Sequence, residues 1–396
     1  MKHLRGGLFL LLVPGLVVLS AGSAAAASRL RWSSGRAPSA GNLIEVACPA
    51  RTLCVAVNNA GGLVVSRDPA GGARTWKVVG GRSVLQLGGT LAQQNADAEV
   101  YLSAFDLSCP SVHLCVVGRP GAEARPGDDP GIPPIASVVY TIDPAGGPSA
   151  WHTVDGIDHN EGQIVSLTCR TVGRCYALED VSGSQGQISA ISVTTTRPTG
   201  PASGWRRTGT IEDDVGDLMG YTAGIACPSV SLCVAGTGVG LYATTNPAFG
   251  ARALSWKFGV RNPVAEYEYQ QFDGVTCPSK HLCVAEPDLT GCPPCAGDDQ
   301  LVSTNPAQGL WRRAGVAAGA MTCPTSTFCV GTGAGAGTGR AADQLVSSTD
   351  PAGPARAWHV SRLSGDPTLR GIACASASFC VAVGDRGAIA VGSAPP

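Results

Sequence analysis

Beyond residue 27 the chain has no uninterrupted apolar run of 18 residues, so the rest of it offers no transmembrane helix. Lysine is scarce, with four Lys among 28 basic residues, and this reads as compositional bias. A net charge of -1 leaves no field to steer the protein toward nucleic acid or an anionic membrane. Aromatics are 5% of the chain, so a core must be built from Val, Ala and Leu with a few well-placed rings. There is no D-x-D-x-D-G loop, which removes the EF-hand type of calcium site. No Cys lies in residues 1–27, which excludes a bacterial lipid anchor. No cofactor or metal is implied.

What is abundant is cysteine, 16 in all, and fourteen of these form a repeat. The pairs are Cys48/Cys54, Cys109/Cys115, Cys169/Cys175, Cys227/Cys233, Cys277/Cys283, Cys323/Cys329 and Cys374/Cys380, every one spaced C-x5-C. Successive first cysteines lie 61, 60, 58, 50, 46 and 51 residues apart. A period near 50 with several short strands per unit is the mark of a propeller or array. Seven tryptophans keep step: Trp32, Trp76, Trp151, Trp205, Trp256, Trp311 and Trp358. Six close a unit opened by a Cys pair; Trp32 precedes the first pair, and the last pair has no Trp after it. The two remainders fit if the N-terminal strand completes the last unit. The expected fold is therefore all-β: a seven-bladed propeller of four-stranded blades, closed by its N-terminal strand, with no open sheet edge at the seam.

In the unit Gly224 to Trp256, strand a is expected over Thr222–Ala226, b over Cys233–Gly236, c over Gly240–Thr245, and d around Trp256. Pro follows the first Cys in most units and suits an a–b turn.

Residues 1–27 read as a secretory signal, with Lys2 and Arg5 in front, an apolar stretch from Leu8 to Leu19, and Ala24–Ala27 at the cleavage zone. Residues 28–396 then form one propeller domain, secreted and monomeric. An oxidising compartment favours a disulfide within each C-x5-C, tying the end of strand a to the start of strand b, and the spacing does not suit zinc. The extra pair, Cys292 and Cys295, sits in Gly/Pro-rich sequence without the helix start that redox C-x-x-C pairs use, and reads as a loop staple.

After strand c the chain reads SRDPAGGARTW (Ser66–Trp76), TIDPAGGPSAW (Thr141–Trp151), TTNPA (Thr244–Ala248), STNPAQGLW (Ser303–Trp311) and STDPAGPARAW (Ser348–Trp358). These resemble the Asp-box or BNR repeat, S-x-D-x-G-x-T-W, of sialidase-type, sortilin-like and photosystem II assembly factor-like propellers. The third unit, Thr196–Trp205, lacks the acidic residue. The resemblance implies a propeller in which Asp68, Asp143, Asn246, Asn305 and Asp350 accept hydrogen bonds from turn N–H groups while the Trp packs on the hairpin. It does not bring sialidase chemistry, because no Phe-Arg-Ile-Pro-like segment lies near the mature N-terminus and no arginine cluster accompanies Tyr267 and Glu268.

Antiparallel strands put the a–b and c–d turns on one face and the b–c and d–a loops on the other. The first face hardly varies. On the second, the distance from second Cys to box position runs from 13 to 28 residues, and from Trp to next first Cys from 12 to 33. Insertions mark this second face as the one for binding a protein or glycan. Its candidate residues are Asp158, His159, Glu161, Asp213, Asp214, Asp217, Glu266, Tyr267, Glu268 and Tyr269. Rival readings are a sialidase-like hydrolase or lyase, and a structural envelope protein.

Overall fold

The computed structural model describes residues 30–37, 40–79, 85, 105–122, 135–157, 163–180, 188–212, 224–237, 240–247, 256–261, 272–287, 299–333, 343–365 and 367–395. It is a β-propeller of seven four-stranded sheets, and its helical turns among the described residues are single 3-10 turns.

The N-terminal strand β1 spans Arg31–Arg36. Blade 1 is β2 (Leu43–Ala50), β3 (Leu53–Asn58), β4 (Leu63–Ser66) and β5 (Lys77–Val79). Blade 2 is β6 (Asp106–Ser111), β7 (Leu114–Ala122), β8 (Ile135–Thr141) and β9 (Trp151–Asp155). Blade 3 is β10 (Gln163–Thr171), β11 (Arg174–Asp180), β12 (Ile188–Thr195) and β13 (Trp205–Glu212). Blade 4 is β14 (Gly224–Ser229), β15 (Leu232–Gly236), β16 (Gly240–Thr244) and β17 (Lys257–Arg261). Blade 5 is β18 (Phe272–Ser279), β19 (Leu282–Pro287), β20 (Leu301–Asn305) and β21 (Leu310–Arg313). Blade 6 is β22 (Met321–Thr325), β23 (Phe328–Thr332), β24 (Gln344–Ser348) and β25 (Trp358–Arg362). Blade 7 has β26 (Leu369–Ser376), β27 (Phe379–Gly384) and β28 (Ala388–Ser393), and β1 supplies its fourth strand in the order β1-β28-β27-β26.

The closure is in register. Trp32 pairs with Gly392, Gly392 with Cys380, and Cys380 with Cys374, so the orphan Trp and the orphan Cys pair share one row. A β-carbon at Gly392 would stand 2.8 Å from the Trp32 ring, so the ring lies flat where only glycine leaves room.

The core lies between blades. Each second strand is an almost unbroken apolar run, such as Leu53–Val57 and Phe379–Val383, because its two faces meet two neighbouring blades. Cys48, Cys54, Val64 and Trp76 of blade 1 pack with Phe379, Val381, Ile389 and Val391 of blade 7. The same rule places Trp151 on Leu53 and Val55 of blade 1, Trp205 on Leu114 and Val116 of blade 2, and Trp358 on Leu282 and Val284 of blade 5. Trp32 meets Phe328 and Val330 of blade 6. The Trp thus seals its blade to the preceding one, a larger role than packing on its own hairpin.

Seven disulfides join the pairs of the repeat, with Cα separations of 3.9 to 4.2 Å: Cys48–Cys54, Cys109–Cys115, Cys169–Cys175, Cys227–Cys233, Cys277–Cys283, Cys323–Cys329 and Cys374–Cys380. Cys292 and Cys295 lie outside the described residues.

The cysteines of the repeat pair as expected, and two other local expectations are corrected. The second Cys of every pair, Cys54, Cys115, Cys175, Cys233, Cys283, Cys329 and Cys380, is fully buried at 0% exposure. Cys115 packs among Leu53, Val55 and Trp151, Cys283 among Leu232 and Val234 of blade 4, and Cys329 among Leu282, Val284 and Trp358. These sulfurs are thus part of the core between blades. The reason is their place in the strand: the second strand begins one residue before its Cys, at Leu114, Leu282 and Phe328 in these blades, so the Cys already stands inside the ladder.

The first correction concerns the first strand of each blade, which does not stop at its first Cys. In blade 4 it runs Gly224–Ser229, through Cys227 and Pro228. The Pro therefore lies in an irregular part of the ladder, where register slips between Ala226 and Ser229, and the turn itself is only Val230 and Ser231. That turn is held by a hydroxyl, the Ser231 N–H donating to Ser229 Oγ at 3.2 Å. The same bond recurs from His113 to Ser111, Gly173 to Thr171, His281 to Ser279 and Ser378 to Ser376.

The second correction concerns the box. The side chains of Asp68 and Asn305 make no capping hydrogen bond to their turns. The acceptor is the buried Ser or Thr two residues earlier. Ser66, Thr141, Thr195, Thr244, Ser303 and Ser348 accept the N–H of Asp68, Asp143, Arg197, Asn246, Asn305 and Asp350 at 3.0 to 3.2 Å. A hydroxyl makes this bond whichever residue follows, which is why Arg197 is tolerated in blade 3. The carboxylate has another neighbour: a β-carbon at Gly71 would stand 2.6 Å from Asp68 Oδ2, so a side chain there would have to displace that carboxylate.

Candidate functional site

The innermost strands β2, β6, β10, β14, β18, β22 and β26 ring the propeller axis, and each contacts the next around the circle. The residue three before the first Cys is Glu45, Asp106, Ser166, Gly224, Gly274, Ala320 and Gly371 in turn. In blades 2 and 3 this side chain reaches the next blade. Asp106 Oδ2 accepts the Ser166 hydroxyl and the Leu167 N–H, both at 2.6 Å. Ser166 Oγ accepts the Ile225 N–H at 2.9 Å. One step along, Ser108 Oγ accepts the Cys169 N–H at 2.9 Å. At Gly224 and Gly371 the backbones close up, a β-carbon at Gly224 standing 2.8 Å from Gly274 Cα, while at Gly274 the space is taken by the Glu286 carboxylate. The slot thus holds an acceptor for the neighbour's strand N–H in blades 2 and 3, Glu45 in blade 1, a methyl in blade 6 and glycine in blades 4, 5 and 7.

Glu45 and Asp106 occupy this slot on adjacent blades. Burial pushes the Glu45 carboxyl well up, the Asp106 charge adds to the rise, and the backbone N–H of Val46 opposes it. Burial raises Asp106 too, opposed by Ser166 and Leu167. Two more carboxylates lie buried on second strands, Glu179 and Glu286. Polar residues inside strands at a fixed distance from a Cys are a legible signal for this wall, one that the more conspicuous insertions outweigh.

The two faces differ in their chemistry. The seven a–b turns contain Arg51, Arg170, Arg174 and Lys280, with His113 and His281, and no carboxylate between any Cys pair. Neighbouring turns touch: Arg170 Nε donates to the Pro228 carbonyl at 3.0 Å, and Ser326 Oγ to Ser279 Oγ at 2.9 Å. Arg51 lies 5.1 Å over the Phe379 ring of blade 7. Outside them, Arg67 of one c–d turn pairs with Asp143 of the next at 3.6 Å.

On the opposite face the described residues include two ion pairs, Arg362 with Asp343 and Arg370 with Asp385. Asp158, His159, Glu161, Asp213, Asp214, Asp217, Glu266, Tyr267, Glu268 and Tyr269 lie outside the described residues. Among the described residues, no three His, Cys, Asp or Glu side chains form a group able to hold a metal ion, and no helix is long and apolar enough to cross a membrane. His113 and His281 are exposed at one turn position, and His152 and His359 are exposed just after their tryptophans.

No protein-family model matches the chain, and no curated protein matches its sequence. Solved structures do match in fold. One is YCF48 bound to D1 peptide, with TM-score 0.57 and 12% identity over 92% of this chain and 97% of that one. YCF48 from Cyanidioschyzon merolae gives 0.57 at 9% identity, covering 91% and 98%. The WD40 propeller domain of Doa1 gives 0.54 at 8% identity, covering 93% and 97%. At such identities the likeness is one of propeller architecture.

Proposed function

We propose that this chain is an exported, non-catalytic binding propeller. Residues 1–27 are its cleaved signal and residues 28–396 one domain, which holds a protein or glycan partner on the face of the b–c and d–a connections. The observation that carries this reading is the contrast between faces: every a–b turn is a two-residue turn under a disulfide, while the opposite connections range from Asp385–Gly387 to the span between Val79 and Asp106. A rigid ring with variable loops on one side is how a scaffold presents a recognition surface. Seven disulfides accord with an oxidising compartment. A protein partner is favoured over a glycan because a propeller of the same architecture is described as bound to a peptide. We further read the turns after each third strand as divergent Asp-box turns.

The test is capture of partners from the native cell surface and a glycan array, repeated with Asp213, Asp214, Asp217, Glu266 and Glu268 changed to their amides. Binding lost in the variants, with unchanged circular dichroism, supports the reading. Turnover of a glycoside substrate that disappears in Glu268→Gln refutes the non-catalytic assignment. N-terminal sequencing of the exported protein checks the cleavage site.

A further inference from the structure

We propose that the face opposite the insertions is a second binding surface, built by the a–b turns, for an acidic peptide segment bearing aliphatic side chains. The argument starts at the third residue after each first Cys. In blades 1 to 5 this is Arg51, Val112, Val172, Val230 and Lys280: three valines in succession with a cation at either end. Val172 and Val230 are 57% and 55% exposed, large fractions for aliphatic side chains in turns held this firmly. Their turns are neighbours, joined by the Arg170 bond to the Pro228 carbonyl. Arg170 and Arg174 flank Val172 within one turn.

The occupant follows from charge and shape. No carboxylate lies within any of the seven a–b turns, and Asp143 of the c–d turns on this face is paired with Arg67, so negative charge on the partner complements the cations of the a–b turns. A phosphate polymer or sulfated glycan would meet the cations but has no use for the valines. An extended peptide alternating acidic and aliphatic residues meets both. Two-residue turns closed by disulfides are already ordered, so little entropy is lost when they are covered. This surface shares no residue with the insertion face and stands whether or not that face binds anything.

The probe is a fluorescein-labelled peptide of three Glu-Leu-Asp-Leu repeats, followed by anisotropy in 50 mM NaCl on the oxidised full chain. Binding that weakens with added salt is expected. The double variant Arg174→Glu, Lys280→Glu should weaken it at least tenfold, and Val172→Ser with Val230→Ser three- to tenfold. Arg51 and Arg170 stay in place because they also brace neighbouring blades, and circular dichroism with a thiol assay verifies each variant's fold. Glu268→Gln should leave probe binding unchanged, so failure here and failure at the insertion face are separable. Four results would overturn the proposal: no binding of the probe; equal binding by the charge-reversed variant; equal binding of a Glu-Ser peptide of the same charge, or tighter binding of heparin, either of which makes this a polyanion site; or sedimentation showing that the surface is covered by a second copy of the chain.

Discussion

Removing the Trp32 ring should loosen the closure of the propeller, because none of the seven disulfides crosses the seam. Each joins two strands of one blade, so the ends of the circle are held by the β1 ladder in blade 7 together with the packing of blade 1 on blade 7. Its own six-residue ladder contributes little net: about 1 kcal/mol per hydrogen bond is offset by about 1–2 kcal/mol per residue of lost backbone entropy. The surplus must come from Trp32, packed on Gly392 and against Phe328 and Val330 of blade 6. The ring is half-buried. Covering about 100 Å² of it at about 25 cal/mol per Å² gives about 2.5 kcal/mol. Trp32→Ala should therefore cost about 2–3 kcal/mol, against about 3–5 kcal/mol for Trp76→Ala, whose ring is 3% exposed. Urea unfolding followed by circular dichroism measures both. The two differ in kind as well: β1 is bounded by Arg31 and Arg36, so a loosened latch becomes a trypsin site in Trp32→Ala and stays protected in Trp76→Ala. If Trp32→Ala unfolds within about 0.5 kcal/mol of the parent, the range of surface substitutions without structural consequence, and its Arg36 bond resists trypsin, the latch argument is wrong.

Replacing Cys169 and Cys175 by Ala should cost about 2 kcal/mol in the same titration, since the bond closes a loop with a sequence separation of only 6; no change would mean the two-residue turn alone holds the hairpin. Glu45→Gln tests the raised carboxyl. A folded-state pKa above the ordinary carboxyl value of about 4.3 means that folded-state stability falls as pH rises from there through the raised value. The melting temperature of Glu45→Gln should therefore exceed the parent's at pH 8 and lose that advantage near pH 4. Asp106 shifts in the same direction and its contribution persists in the variant, so the slope is reduced and not abolished. Parallel melting profiles from pH 4 to 8 would show that Glu45 carries no such penalty.

Architecture is legible in the sequence because it is periodic. C-x5-C and Trp recur with a defined phase, and the mismatch at the two ends of the count locates the closing strand. The turns are less legible. The Asp of SRDPAGG is the conspicuous residue, yet the bond is made by Ser66, because a hydroxyl two residues back reaches the turn N–H while the carboxylate is taken up against Gly71. Pro228 has the look of a turn former, and the ladder instead accommodates it as an irregularity before Ser229, so strand a runs on past Ala226. The burial of Cys115, Cys283 and Cys329 is equally hidden, because spacing reports which sulfurs can meet and not which blade then covers them. The channel wall is hard to read because Glu45, Asp106 and Ser166 look like ordinary polar interruptions until the blades are aligned on their cysteines.

That one slot also explains how seven similar sheets make an unequal ring. Neighbouring innermost strands meet at this slot in two ways. Asp106 and Ser166 answer with an oxygen, stitching blades 2, 3 and 4 into a polar run. Gly224 and Gly371 answer with close approach, the second leaving a β-carbon only 2.9 Å from the Ile44 carbonyl. The first solution places carboxylates where desolvation raises their proton affinity, and the second forbids any side chain. A ring that mixes them carries Glu45 and Asp106 on blades 1 and 2, and on blade 5 sets the Glu286 carboxylate against Gly274. The two exposed valines, Val172 and Val230, belong to blades 3 and 4, beside Arg170 and Arg174. An acidic chain gains from the cations of those turns and nothing from the carboxyls of the inner strands, so the surface favours a segment lying across the turns.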